Sequence, residues 1–107
     1  MIQARVYRNE EEAGILSKHD NGTFTFRYHE VYFANPDKKS ICLTLSKQRQ
    51  EYISETLFPF FSNLLAEGVN RRLQSKHLQI DENDSFGLLL ATAGNDTVGA
   101  VTVKPGL

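Results

Sequence analysis

With one cysteine, Cys42, in 107 residues, the chain has no partner for an internal disulfide and too few thiols for a multi-cysteine zinc site, which fits a reducing compartment. Long apolar runs are missing as well. The richest stretch, Phe86 to Ala93, falls far short of the roughly 18 apolar residues of a membrane span. The opening Met1-Ile2-Gln3-Ala4-Arg5 lacks the apolar segment of a secretory signal. These absences predict a soluble, unexported protein of the cytoplasm. Neither sign of charge dominates: 12 basic and 13 acidic residues give a formal net charge of -1, so no broad basic face is expected for a phosphate backbone. A glycine-rich phosphate loop of the kinase or P-loop type is absent, as is a catalytic His-Arg-Asp. Nothing is left to hold and activate a nucleotide, and the chain is expected to be no enzyme and to use no cofactor or metal.

What the chain does contain suits one domain over residues 1–107. Its 40% hydrophobic content lets a chain of this size bury about two-thirds of its unfolded surface. From Ile2 to Arg8, apolar Ile2, Ala4 and Val6 alternate with Gln3, Arg5 and Tyr7, the period of two that defines a strand. Ala13 to Lys18 is the second strand, because Asp20-Asn21-Gly22 follows it with residues that tolerate positive φ in a hairpin turn. Phe24, Phe26 and Tyr28 alternate with Thr23, Thr25 and Arg27 as the third. Beyond the loop Asn35-Pro36-Asp37, the alternation of Ile41, Leu43 and Leu45 with Cys42, Thr44 and Ser46 predicts a fourth.

The period then changes. Leu57, Phe60, Phe61, Leu64 and Leu65 form one helical stripe, with Pro59 confined to its first turn. Gly68 ends or bends that helix, and a second covers Val69 to Leu78 with Val69 and Leu73 turned inward and Arg71, Arg72 and Lys76 toward solvent. A third starts at a cap, Asn83 or Asp84, carries Phe86, Leu89, Leu90 and Ala93 on one face, and stops at Gly94. Val101-Thr102-Val103 closes the chain as a short strand. Strands first, helices next and one late strand describe an α+β fold: a small, mostly antiparallel sheet of four to five strands packed with two to three helices.

Each chemistry-bearing group has a plain structural use. Asp84-Ser85-Phe86-Gly87 resembles the magnesium-binding Asp-Phe-Gly of kinases but holds one residue more and sits at a helix start, so Asp84 is read as a cap. His19, His29 and His77 lie on separate elements without ligand spacing and are read as surface or partly packed groups. Cys42 has no histidine near it in sequence and is read as a small hydrophobe on a strand. Glu10-Glu11-Glu12 reads as a solvated hairpin tip. Gly94-Asn95-Asp96-Thr97, with Gly99-Ala100, is denser in turn formers than a helix-to-strand connection needs, and a functional loop is open there. A nucleic-acid module would gather basic residues with aromatics, whereas the alternation of Phe24, Phe26 and Tyr28 is better explained by a core face.

Three blocks in order carry a resemblance: Pro59-Phe60-Phe61-Ser62-Asn63-Leu64-Leu65-Ala66-Glu67-Gly68, Asp84-Ser85-Phe86-Gly87-Leu88-Leu89, and Gly94-Asn95-Asp96-Thr97-Val98-Gly99-Ala100. Together with the Asp20-Asn21-Gly22 hairpin and the Ile41-x-Leu43-x-Leu45-Ser46 stretch, they make nearly the whole chain resemble the first N-terminal subdomain of HipA-type toxin kinases. In that family a second N-terminal piece and the kinase core follow, whereas this chain stops at Gly106-Leu107. As a separate small protein it resembles the HipS-like antitoxins of three-component HipBST toxin-antitoxin systems. The resemblance implies as partner a HipT-like Ser/Thr kinase toxin that the antitoxin binds and restrains. It also implies a ternary complex with a HipB-like helix-turn-helix protein that takes the DNA contact. The alternative is a non-inhibitory structural subdomain or fragment of a HipA-type kinase. The shared block continues past the apolar stripe into polar residues that no core requires, so Glu67, Gly68, Val69, Asn70 and Arg72 are the expected partner-binding residues. Val69 is expected to serve there as a small apolar anchor, and Asn95 and Asp96 are expected to join the partner-binding residues from a turn beside the bend.

Overall fold

The alternating residues at the start of the chain form the strands they predict. The computed structural model describes residues 1–65, 68–92 and 101–106. Within it β1 (Ile2–Arg8), β2 (Glu11–Lys18) and β3 (Phe24–Tyr28) run antiparallel. β2 begins two residues before the predicted Ala13, because Asn9 and Glu10, at φ 51° and 67°, make a tight turn whose twist matches the paired strands. Val6 pairs with Gly14 and Tyr7 with Glu12, so Ala13 is the extra residue of a bulge. Gly14 is required where it stands: a β-carbon there would lie 2.3 Å from the Arg27 carbonyl oxygen. In the second hairpin, Gly22 adopts φ 90° and Asn21 Oδ1 accepts hydrogen bonds from the Thr23 N–H and hydroxyl at 3.1 and 2.7 Å.

After β3 come α1 (Glu30–Ala34), β4 (Glu51–Ser54), α2 (Pro59–Ser62), α3 (Gly68–Leu78), α4 (Ser85–Thr92) and β5 (Val101–Pro105). The antiparallel sheet has the order β4-β3-β2-β1-β5. With helices beside it, the fold is α+β as expected. One face of the sheet is the core: Ala4, Val6, Leu16, Phe26, Tyr28 and Val103 are fully buried, joined by Phe61 of α2 and by Phe86, Leu88 and Leu89 of α4. Rings lock the layers together, with Phe26 and Phe61 centroids 5.9 Å apart and Phe24 and Phe86 centroids 5.7 Å apart. The opposite face carries Arg5, Arg27, Glu12 and Glu51, which pair across strands. Among the described residues, no helix is long and apolar enough to cross a membrane.

Three expectations are corrected. Residues 41–46 are bends and turns, and the fourth strand is β4, ten residues later. The reason is that Tyr28 satisfies the backbone that a neighbouring strand would have satisfied: its hydroxyl accepts the Ile41 N–H at 3.0 Å and donates to the Leu45 carbonyl. Ile41 and Leu45 are therefore buried while Leu43 is 97% exposed, and Cys42 sits half-buried on a loop rather than on a strand. The helix expected over Leu57–Leu65 shrinks to α2, with Pro59 at its first position, although Phe61 and Leu65 remain buried as predicted. Finally, Val69 and Leu73 of α3 face outward instead of inward. The third predicted helix is α4; its expected end at Ala93 and Gly94 lies outside the described residues.

Candidate functional site

α3 has no buried residue. It starts at Gly68, whose φ of 59° lies in the left-handed region that glycine enters without strain. What fastens the helix is polar. Arg71 donates from Nε to the Glu82 carbonyl at 2.8 Å and from a terminal nitrogen to Ser85 Oγ at 2.8 Å. At the other end the Ile80 N–H donates to the Ser75 carbonyl at 3.0 Å, and the Ser75 hydroxyl donates to the Ile80 carbonyl. The guanidinium expected to face solvent is thus the tether, and this turns the apolar side out. Val69 and Leu73, one helical turn apart, are 66% and 60% exposed. Arg72 lies between them in sequence and is exposed, its Nε a loose 4.0 Å from Glu82 Oε2. An i, i+4 apolar pair flanked by an exposed, loosely paired cation is a helix face suited to meeting another apolar surface.

Of the predicted partner-binding residues, Gly68, Val69, Asn70 and Arg72 come together, exposed, on the first turns of α3. Glu67, Asn95 and Asp96 lie outside the described residues. Leu73 belongs with the site and was assigned to the core; its spacing from Val69 was legible, but which side Arg71 would hold down was not. Asp84 is a cap as read: its Oδ1 accepts the Gly87 N–H at 2.9 Å. His19 meets Thr25 Oγ1 at 3.0 Å, His29 meets Glu12, and His77 lies in the last turn of α3. Among the described residues, no group of three or more His, Cys, Asp or Glu side chains could hold a metal ion. The Glu run divides, with Glu10 in the turn, Glu11 bound to Lys38 at 2.9 Å and Glu12 to His29.

Among the described residues, the structure thus defines an α+β domain in which one helix, α3, contributes no buried residue. Residues 4–104 match the family model of the HipA N-terminal domain, and the chain belongs to that family. It is similar to a solved N-terminal domain of HipA toxin, with a TM-score of 0.69 and 28% identity over 100% of this chain and 94% of that one. An uncharacterized protein of Haemophilus influenzae is 35% identical over 94% of this chain and 89% of its own length. A protein of Sinorhizobium fredii named "Putative kinase Y4dM" is 30% identical over 98% of this chain, which spans only 26% of that protein. What matches is the N-terminal domain and not a kinase core.

Proposed function

We propose that the chain is a HipS-like antitoxin that binds and restrains a HipT-like Ser/Thr kinase toxin in the cytoplasm. A HipB-like helix-turn-helix protein completes the complex and takes the DNA. The observation that carries this reading is α3, a helix of the toxin-type domain whose apolar pair Val69 and Leu73 is turned away from its own core. Two further facts support it. The Haemophilus influenzae relative is little longer than this domain, so the fold occurs as a small protein. The net charge of -1 suits a subunit that leaves phosphate contacts to another chain. In this reading Val69 and Leu73 enter an apolar pocket on the kinase, and Arg72 sets orientation through charge.

The second reading, a structural subdomain without inhibitory activity, draws on the Sinorhizobium fredii relative, in which the matched region is part of a longer protein named as a kinase. Titration calorimetry and kinase assays separate the two. Val69→Asp and Arg72→Glu should each weaken binding to the cognate kinase by about tenfold or more, about 1.4 kcal/mol. Melting temperature should hardly change, because both side chains are exposed. Wild-type protein should suppress kinase autophosphorylation and Val69→Asp should not. Unchanged affinity in both variants would move the interface away from α3, and binding without suppression would favour the structural subdomain.

A further inference from the structure

The two edges of the sheet are built differently. β5 ends in Lys104 and Pro105, a charge and a residue without an N–H, devices that keep an edge strand from pairing further. β4, at the other edge, has neither lysine nor proline in Glu51–Ser54. Its one charge, Glu51, is met within the sheet by Arg27 at 3.7 Å. The backbone groups that β4 leaves open follow from its pairing. Tyr28 donates its N–H to the Gln50 carbonyl at 2.9 Å, and the register continues with Phe26 opposite Tyr52 and Phe24 opposite Ser54. In an antiparallel ladder, pairs that exchange hydrogen bonds alternate with pairs that do not. The main-chain groups of Gln50, Tyr52 and Ser54 therefore turn toward β3, and those of Glu51 and Ile53 turn to the open edge. Among the described residues, no loop backbone caps them. The Ile53 side chain is 71% exposed beside them.

The strand's own sequence complements this edge. Two copies of β4 related by a two-fold axis normal to the sheet pair antiparallel, and the axis must pass through a residue for the faces to match. Charge selects the residue. An axis through Glu51 would set the two Glu51 carboxylates opposite each other, and one through Ile53 would oppose Glu51 to Glu55. An axis through Tyr52 opposes Glu51 of each copy to Ile53 of the other, so each such pair exchanges both of its open main-chain hydrogen bonds. It also brings Arg49 of each copy toward Glu55 of the other. Both side chains are exposed, and among the described residues neither has an ion-pair partner. The Arg49 guanidinium lies 5.3 Å from the Tyr52 ring, which places the cation at this edge. The two Tyr52 residues face each other at the centre, in a pair without hydrogen bonds, where side chains come closest and aromatic contacts are favourable. The pairing consumes the open edge of both copies, and with β5 blocked the assembly closes as a dimer.

We infer that β4 is a self-association edge through which two copies of the chain join their sheets about an axis at Tyr52; this is independent of the antitoxin reading. The strand is short, so the association is weak. Sedimentation equilibrium of the whole chain, up to about 1 mM, should show monomer and dimer with no larger species. Ile53→Pro removes an outward N–H and none directed at β3, so it should weaken dimerisation about tenfold or more with an unchanged far-ultraviolet circular dichroism spectrum. Arg49→Glu and Glu55→Arg should each weaken it, and the variant carrying both should recover wild-type association, a rescue that a folding defect does not produce. Val69→Asp should dimerise as wild type does. A monomer throughout the range would overturn the proposal. So would charge variants that fail to rescue each other, or association that survives Ile53→Pro and is lost in Val69→Asp.

Discussion

The hydroxyl of Tyr28 joins the sheet to a loop 13 residues further along, accepting from one backbone group and donating to another while its ring lies parallel to Tyr32 at 5.8 Å and edge-on to Phe26 at 4.8 Å. Burial pushes its pKa up from 10.0 to about 12, against the opposing pull of the Ile41 hydrogen bond. In the unfolded chain a tyrosine ionises near 10. Between pH 10 and about 12 the unfolded state therefore holds fewer protons than the folded one, and stability falls as pH rises. Below that window the contribution is fully present. The expected loss across it is about 2–3 kcal/mol. Burial raises the Tyr32 pKa in the same direction, so Tyr28→Phe should flatten the alkaline decline without abolishing it. Near neutral pH the same variant should lose about 1–3 kcal/mol, because a buried carbonyl and N–H are left without their partner. Urea titrations across the alkaline range check both, and a variant as pH-sensitive as wild type would refute the assignment.

At the scale of elements, short pieces survive here by packing. A four-residue helix has no stability of its own, so α2 depends on fully buried Phe61, whose ring meets those of Phe26, Phe58 and Phe60. Phe61→Ala should cost about 3–5 kcal/mol, a large share of the about 5–15 kcal/mol that holds a domain together; an unchanged urea midpoint would show that the ring bears no load. The same dependence on tertiary partners explains which elements were legible. β1, β2 and β3 advertise themselves by alternation, and α4 by its cap and apolar content. β4 was hidden because, as an edge strand, Glu-Tyr-Ile-Ser needs little apolar residue, and α1 is a single turn. Residues 41–46 have a strand's pattern and lose the strand to one phenol from another element. For α3, spacing located the helix, but its orientation depended on hydrogen bonds from Arg71 to residues 11 and 14 positions away.

For the whole molecule, the exposure of the start of α3 was readable because the family block runs on into residues no core requires. Leu43 was not, because its alternation with Ile41 and Leu45 concealed that it alone faces water. The antitoxin reading also predicts that the purified protein, given ATP and magnesium, transfers no phosphate to water or to itself; reproducible turnover by the isolated chain would sink it. The tyrosine clamp has an optical consequence. The chain contains no tryptophan, so its near-ultraviolet circular dichroism comes chiefly from tyrosine and phenylalanine rings, and the stacked, buried pair Tyr28 and Tyr32 should supply much of it. Release of the Leu43 loop would change that signal while the far-ultraviolet spectrum of the sheet stays put. Light absorbed by tryptophan alone would excite only a partner, so the two sides of a complex can be followed separately without attaching a dye to either.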